Sequence, residues 1–156
     1  MMVGKIDARL AELGIQLPKP TAPVANYVPF VIVGSTAFIS GQITIQEGKV
    51  GFAGKVGTDL TVEQGYQAAR VCGLNLLAQL REACSGDLDR VRRVVKLGGF
   101  VNAAADFKEH PKVINGASDL MVEVFGNVGR HARFAVGVPS LPSDTAVEVD
   151  GIFEIG

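Results

Sequence analysis

The sequence predicts an α+β fold in which two helices cover one face of a β-sheet. Residues 61–84 and 111–125 repeat their apolar side chains at the spacing of an α-helix, and extended segments precede, separate and follow them. In the last extended segment, residues 147–155, the odd positions are apolar or glycine, and the even positions are acidic except for Ile152. Elements with one apolar side bury it by packing in layers, so we expect a two-layer sandwich whose open sheet face forms a subunit interface.

Composition indicates a single soluble domain. The 156 residues are 47% hydrophobic and 20% charged, and their formal net charge is −1. A charge so close to zero gives no general attraction for nucleic acid or an anionic membrane. The basic cluster within residues 90–96 is interpreted as a solvated strand edge, with nucleic-acid binding as the less favoured alternative. No apolar stretch has the length of a signal-peptide core or a membrane span, so a cytoplasmic protein is expected.

The chain is expected to be one domain over residues 1–156, with an N-terminal arm outside its core. The arm takes residues 1–25 and the core residues 26–156. Three apolar residues at helical spacing precede Gly14, which can end a helix. The following Leu-Pro-Lys-Pro segment at residues 17–20 predicts a stiff, extended connector.

The core begins with a predicted β-hairpin. Residues 28–33 and 36–42 form its strands, and Gly34-Ser35 supplies the turn. A second turn is predicted at residues 47–49. The two faces of the strand 36–42 are expected to carry Ala37, Ile39 and Gly41 on one side and Phe38, Ser40 and Gln42 on the other.

Residues 61–84 carry the strongest helical signal in the chain. Thr61 and Gln64 match the two ends of a capping box. Glycines at positions 65 and 73 lie in the apolar stripe, where each costs about 1 kcal/mol of helix propensity. We expect these small residues to let the helix lie close to its neighbour.

A strand over residues 90–104 and a helix from about Pro111 come next. Proline is tolerated in the first turn of a helix, and Gly126 and Gly129 can end this one. The predicted faces of the strand are Arg93, Val95, Leu97, Gly99 and Val101 on one side, and Val94, Lys96, Gly98 and Phe100 on the other.

Cysteine and histidine give no sign of a metal site. Cys72 and Cys84 are twelve residues apart in one helix, beyond disulfide reach, and are expected as free thiols packed like small apolar groups. His110 and His131 show no metal-ligand spacing with them. His131 is interpreted as a solvated loop residue.

The segment 132–153 is predicted to form two strands joined as a hairpin by a proline-rich turn. Each of these apolar strands contains one ionic residue, Arg133 in the first and Glu148 in the second. A partly desolvated guanidinium needs an anionic partner. The residues leave two readings open, an inter-subunit ion pair with a carboxylate of the protein such as Glu148, or a carboxylate that a ligand brings.

The same residues carry a family resemblance. The run Ala132-Arg133-x-Ala135-Val136-x-Val138, followed by Leu141-Pro142 and Val147-Glu148-Val149, resembles the C-terminal signature of the Rid/YjgF family of imine and enamine deaminases, also described as L-PSP endoribonucleases. The resemblance covers about residue 26 to the C-terminus. It implies a chorismate-mutase-like trimeric barrel, with a mixed sheet, two helices on one side, and ligand sites between subunits.

The resemblance also assigns candidate site residues. Arg133 matches the family arginine that holds the substrate carboxylate, and Glu148 matches the glutamate that orients water or exchanges a proton with it. Arginine suits the first role because its planar fork binds a carboxylate with two hydrogen bonds and stays charged. The further matches to substrate-binding positions are Tyr27, Ser40, Asn115 and Ala135.

The activity implied is hydrolysis of small 2-imino or 2-enamino acids to 2-oxo acids and ammonia, with no metal or organic cofactor. Three departures bear on the pocket, namely Phe134 where the family often has Ser, Ala135 where it often has Cys, and Asp150 for the second acid. They leave open an alternative, a non-catalytic homotrimer that binds 2-oxo acids or related small carboxylates. Ribonuclease activity is not favoured, because the charge is near neutral and no histidine pair or metal site is predicted.

Overall fold

A five-stranded sheet forms the framework of the protein. The computed structural model describes residues 3–22 and 25–156, so Met1, Met2, Pro23 and Val24 of the predicted arm lie outside the described residues. The strands follow the spatial order β1, β2, β7, β5, β6. Their bounds are β1 Phe30–Val33, β2 Thr36–Gln42, β5 Val91–Asn102, β6 Ala132–Val138 and β7 Val147–Ile155, and a separate small hairpin pairs β3 Ile45–Gln46 with β4 Lys49–Val50.

The sheet is mixed, as expected, but its last two strands are not a hairpin. β5 pairs with β7 in the antiparallel sense and with β6 in the parallel sense, so it lies between them. The predicted β6–β7 hairpin is therefore wrong. The helix that follows β5 returns the chain so that β6 forms parallel to β5. The proline-rich segment between β6 and β7 then crosses the end of β5.

Both long helices lie on one face of the sheet, which confirms the two-layer sandwich. The helices are α1 Lys5–Glu12, α2 Val62–Ala83 and α3 His110–Phe125. α2 packs on β2 and β7, and α3 packs on β5 and β6. Beneath them, the odd-numbered residues of β7 are all buried, as the alternation predicted.

Local signals at the helices are confirmed. The Gln64 amide donates to Thr61 Oγ1 at 3.0 Å and the Thr61 amide donates to Gln64 Oε1 at 2.9 Å, which completes the capping box. α2 and α3 approach so closely that a Cβ at Gly116 would collide with the Tyr66 carbonyl. Cys72 and Cys84 are buried free thiols, as expected.

Irregular strand pairing changes two predicted sheet faces. A register shift between Ile39 and Gln42 turns Gln42 toward the interior, where it is buried beside Val149, instead of onto the face of Phe38. A second shift near Val94 buries that residue under the helices and leaves Val95 41% exposed. Strict alternation failed at these points because an irregular register advances the chain without keeping its period of two.

The sheet face opposite the helices is rich in apolar side chains. Val31, Phe38 and Val136 are 49%, 44% and 43% exposed there. The rings of Phe100 and Phe134 meet edge to face with centroids 5.3 Å apart. Phe134 lies over Gly98, where any Cβ would meet the ring at 2.6 Å. Glycine at position 98 thus makes room for the aromatic residue that follows Arg133.

Candidate functional site

Arg133 faces α3 from the edge strand β6. It pairs with Leu97, which is fully buried beneath the helices, so both side chains lie on the helix side of the sheet. Its Nη1 donates to Asn115 Oδ1 at 2.8 Å and to Ser118 Oγ at 3.1 Å. Asn115 and Ser118 are three residues apart on α3 and share one helix face, so together they hold one nitrogen of the guanidinium.

The other side of the guanidinium has no bond to the described protein. Four ion pairs occur within residues 3–22 and 25–156, and none of them includes Arg133. Nε and Nη2 of Arg133 make no hydrogen bond there, and in the same part of the chain the one buried side-chain nitrogen without a partner is Nε of Arg81. The Nε and Nη2 edge of Arg133 is therefore open to solvent and to a ligand.

Arg133 and Glu148 do not form an ion pair within the described chain. Glu148 lies on β7, pairs with Phe100 and points to the face opposite its buried neighbours Val147 and Val149. Arg133 points to the helix side, and β5 separates the two strands. An ion pair between subunits remains a prediction.

Glu148 belongs to a second group of predicted residues, around a cavity of about 340 Å³. Burial raises the pKa of Glu148 above its ordinary value, and the nearby Asp150 carboxylate raises it further. The carboxylate lies directly against Gly41, where a Cβ would collide with Glu148 Oε2. Tyr27, Ser40, Gly41 and Gln42 line the same cavity.

Ser40 and Tyr27 occupy different positions within this cavity wall. Ser40 Oγ donates to the Val28 carbonyl at 2.8 Å, so its hydroxyl fastens the end of β2 to the segment that enters β1. Tyr27, next to that segment, is 54% exposed. The tyrosine side chain is thus accessible to a partner or a ligand beside Glu148.

The predicted site residues therefore form two separate groups. One comprises Arg133 and Asn115, with the partly buried Ala135 two residues along β6 on the same face. The other comprises Tyr27, Ser40 and Glu148. Because the groups lie on different strands and opposite sides of the sheet, one chain does not bring them together.

Two further residues belong to the arginine group and were missed or misread. Ser118 accepts from Arg133 and lies 2.8 Å from Nε2 of His131, whose Nδ1 is 2.6 Å from the Gly129 carbonyl. His131 is not a solvated loop residue. Burial lowers the pKa of His131, and the Arg133 and Arg93 cations lower it further, against the opposing effect of the Gly129 carbonyl. The one available signal was the spacing of Ser118 three residues after Asn115.

Metal and membrane features are absent from the described ranges. No cluster of three or more His, Cys, Asp or Glu side chains occurs within residues 3–22 and 25–156 that could hold a metal ion. In those same ranges no helix is both long and apolar enough to cross a bilayer.

Comparison with known proteins establishes the family. Residues 7–154 match the model described as "YjgF/chorismate mutase-like, putative endoribonuclease". The chain belongs to this YjgF family. Protein TCP17 of Trypanosoma cruzi is 49% identical over 153 residues, which are 97% of this chain and 95% of that protein.

Solved structures of YjgF-like proteins share the fold. Protein Atu1372 of Agrobacterium tumefaciens, whose function is described as unknown, is 48% identical with a TM-score of 0.91, over 97% of this chain and 92% of that one. The YjgF gene product of Escherichia coli is 27% identical with a TM-score of 0.61, over 87% of this chain and 92% of that one. The resemblance inferred from the signature around Arg133 is thereby confirmed at the level of family and fold.

Proposed function

We propose that this YjgF-family protein hydrolyses small 2-imino and 2-enamino acids to 2-oxo acids and ammonia. The observation that carries the proposal is the state of Arg133. A partly buried guanidinium is held by two neutral oxygens and has no carboxylate partner in the described chain. Such a group is prepared for an anion that arrives with a ligand.

The geometry of Arg133 suits a carboxylate. Asn115 and Ser118 occupy Nη1, which leaves Nε and Nη2 as two parallel donors on one edge of the plane. A substrate carboxylate on that edge accepts two charge-assisted hydrogen bonds. Binding there also places the adjoining imine carbon beside a fixed positive charge, which makes that carbon more electrophilic.

A homotrimer would complete the site. Within one chain, Arg133 and Glu148 lie on opposite faces of the sheet and on strands that β5 separates, and the open sheet face carries the apolar side chains that a subunit interface needs. In this arrangement Arg133 and Asn115 of one subunit face Tyr27, Ser40 and Glu148 of the next.

Glu148 is the proposed proton acceptor. As a water oxygen bonds to the imine carbon and the carbon–nitrogen π bond breaks, the carboxylate takes one proton from the water and passes it to nitrogen, which gives a carbinolamine. The carboxylate then takes the hydroxyl proton and passes it to nitrogen as the remaining carbon–nitrogen bond breaks, so that a carbonyl forms and ammonia leaves. Its raised pKa brings proton acceptance and return closer to neutral pH. The Ala135 backbone would hold the departing nitrogen. Imine hydrolysis is already quick in water, so positioning has to supply only a few kcal/mol, about 3.

The alternative function is a non-catalytic carboxylate-binding trimer, and Ala135 is the observation that favours it. Alanine offers no side-chain proton donor at a position next to the proposed substrate. Phe134 gives this alternative no support, since its ring packs over Gly98 on the opposite side of the sheet from Arg133.

RNA cleavage gains no support from the histidines. His110 packs against Phe107 and Gly137 near one end of β6. His131 immediately precedes the other end of that strand. The two rings therefore do not form the acid and base pair that phosphodiester cleavage without a metal requires.

One assay distinguishes these functions. Purified protein is added to an amino-acid oxidase that releases imine, and oxo-acid formation is followed for the wild type, Arg133→Ala and Arg133→Lys. The proposal expects acceleration by the wild type, loss with alanine and only partial recovery with lysine, which lacks the planar fork. Arg130→Ala, at an exposed arginine nearby, serves as the control. Binding of 2-oxobutanoate without acceleration would favour the alternative. A protein that neither binds 2-oxobutanoate nor accelerates oxo-acid formation would contradict both functions.

A further inference from the structure

A row of hydrogen bonds connects the backbone of a short turn to the guanidinium of Arg133. The Gly129 carbonyl lies 2.6 Å from His131 Nδ1, and His131 Nε2 lies 2.8 Å from Ser118 Oγ. Ser118 Oγ in turn accepts from Arg133 Nη1 at 3.1 Å. All four groups lie where the turn Gly126–Gly129, α3 and the start of β6 meet.

The chemistry of the end groups fixes the direction of every proton in this row. A carbonyl only accepts, so His131 carries its proton on Nδ1. In the neutral ring Nε2 is then an acceptor, and the Ser118 hydroxyl must donate to it. A hydroxyl has one proton, so its lone pairs remain for Arg133, whose nitrogens only donate.

The start of the row is set by backbone rather than by a mobile side chain. Gly129 packs so tightly on α3 that a Cβ there would collide with the Met121 carbonyl. That contact locates the Gly129 carbonyl relative to the helix that also carries Ser118 and Asn115. The turn thus selects the His131 tautomer, and through it the orientation of the Ser118 hydroxyl.

The charges around His131 favour the neutral ring that the row requires. Arg133 on β6 and Arg93 on β5 are the charged groups that act on it, and both are cations. The turn contributes the Gly129 carbonyl and α3 the neutral Ser118 hydroxyl. A second positive charge on the ring would face two arginines.

From this geometry we infer that His131 and Ser118 are positioning residues that orient the Arg133 guanidinium for a carboxylate. The inference rests on the proposed function of Arg133. With both Nη1 protons directed to Asn115 and Ser118, the plane of the group is set and its Nε and Nη2 edge has one direction. Without His131, the Ser118 hydroxyl is free to turn toward a backbone carbonyl of its own helix, as serines in helices do.

Steady-state kinetics with an oxidase-generated imine provides the first test. Ser118→Ala is expected to raise KM about tenfold, the usual worth of a hydrogen bond to a charged group, with kcat within about twofold of the wild type. Ser118→Thr retains a hydroxyl and should restore KM. His131→Phe keeps a ring but no acceptor and should raise KM about threefold. A purely structural defect would lower the active fraction, and hence kcat, without changing KM.

Calorimetry with 2-oxobutanoate measures the same effect without turnover. The Kd is expected to follow KM across the variants. Ser35→Ala, an exposed serine in the β1–β2 turn, is the matched control and should bind like the wild type. Arg133→Ala should abolish binding.

The tautomer itself can be observed in the free protein. Nitrogen NMR of labelled histidine should show His131 protonated at Nδ1 and unprotonated at Nε2 at neutral pH, with His110→Gln assigning the two histidine signals. An Nε2-protonated or mixed ring would overturn the inference. The inference would also be overturned if Ser118→Ala and His131→Phe keep the KM and Kd of the wild type while Arg133→Ala is inactive. If Arg133→Ala has wild-type KM and Kd, the proposed function itself fails. That outcome is distinct from failure of the inference alone, which the His131 tautomer and the Kd values of the Ser118 and His131 variants reveal.

Discussion

Glu148 and Asp150 lie two residues apart on one face of β7, and their carboxylates influence each other. Burial is the larger cause of the raised pKa of Glu148, and the negative charge of Asp150 is the second. The pKa of Asp150 is also raised by burial, against the Gly98 amide and the Lys96 cation, which lower it. The Asp150 charge thus acts on the ionisation of Glu148, an effect that its position as the second acid of the signature did not reveal.

Replacing Asp150 by Asn should extend activity to lower pH. The Asp150 charge opposes ionisation of Glu148, so its removal lowers the pKa of Glu148, and the ionised base then persists further into acid. The acidic limb of kcat/KM, measured from about pH 4 to about pH 8, should move down. Glu154→Gln, an exposed acid further along β7, should leave it in place. A limb that stays fixed or moves up in Asp150→Asn would contradict this role for Glu148.

Sequence predicted the individual residues of the arginine group unevenly, for a physical reason. Arg133 was apparent because an ionic side chain interrupts an apolar strand, and Asn115 followed from the family signature. Ser118 and His131 gave no such signal, because their importance depends on where the turn Gly126–Gly129 places a carbonyl. Hydrogen bonds of this kind arise from tertiary placement. The spacing of Ser118 from Asn115 shows only that the two residues share a helix face, not that they hold an arginine.

At the scale of elements, the contact between α2 and α3 depends on glycine more than the helical pattern suggested. Gly116 on α3 faces the Tyr66 carbonyl and the Arg70 amide on α2. Backbone atoms cannot move aside as a side chain can, so the two helices would have to separate to admit a methyl group. The sequence marked Gly65 and Gly73 of α2, but not this glycine, as residues that permit close approach.

Gly116→Ala should therefore destabilise the protein although alanine is the better helix former. We expect a loss of about 1 to 3 kcal/mol in the free energy of unfolding, typical of overpacking. Gly65→Ala is the matched comparison. Its Cβ would meet only side-chain methyl groups of Val113 and Val56, at 3.1 Å, and the gain in helix propensity of about 1 kcal/mol offsets much of that crowding. Urea unfolding at one protein concentration would measure both. An equal or greater loss in Gly65→Ala would contradict the backbone argument.

The predicted strand faces are wrong where a register shift interrupts the alternation of side chains in the strand. β7 keeps a strict alternation and its faces were predicted correctly. β2 contains one register shift and β5 contains two. Gln42, after the shift in β2, and Val94, between the two shifts in β5, lie on the side opposite to the one expected. A register shift is decided by pairing with a neighbouring strand, so the strand's own sequence does not predict it.

At the scale of the whole molecule, the apolar open face should hold subunits together. Phe38 is 44% exposed on that face, and the substitution Phe38→Glu would set a charge among apolar groups. We expect sedimentation to show the wild type as a trimer and this variant as smaller species, with imine hydrolysis lost because the two residue groups no longer meet. Val3→Glu places the same charge at an apolar residue of the arm that is 73% exposed and should remain trimeric and active. A trimeric Phe38→Glu variant, or a monomeric wild type, would contradict the proposed assembly.

The sequence predicted the layers of the fold correctly but not the order of the strands in the sheet. Apolar stripes identified the helices and their common layer, because layer packing follows from one-sided hydrophobicity. The order of the strands did not follow from the same evidence. A hairpin of β6 and β7 agreed with every local signal. It does not form because β6 pairs with one edge of β5 and β7 pairs with the other.

The position of β7 also governs when the fold can be completed during synthesis. β7 is synthesised after the other described strands, yet it lies between β2 and β5 and is the only link between the pair β1–β2 and the pair β5–β6 among the strands described. A nascent chain that has not yet exposed Val147–Ile155 therefore holds two unjoined strand pairs with uncovered backbone edges. The two strand pairs should consequently join into one sheet only after β7 has been synthesised, and the uncovered edges would need most protection by chaperones just before that step.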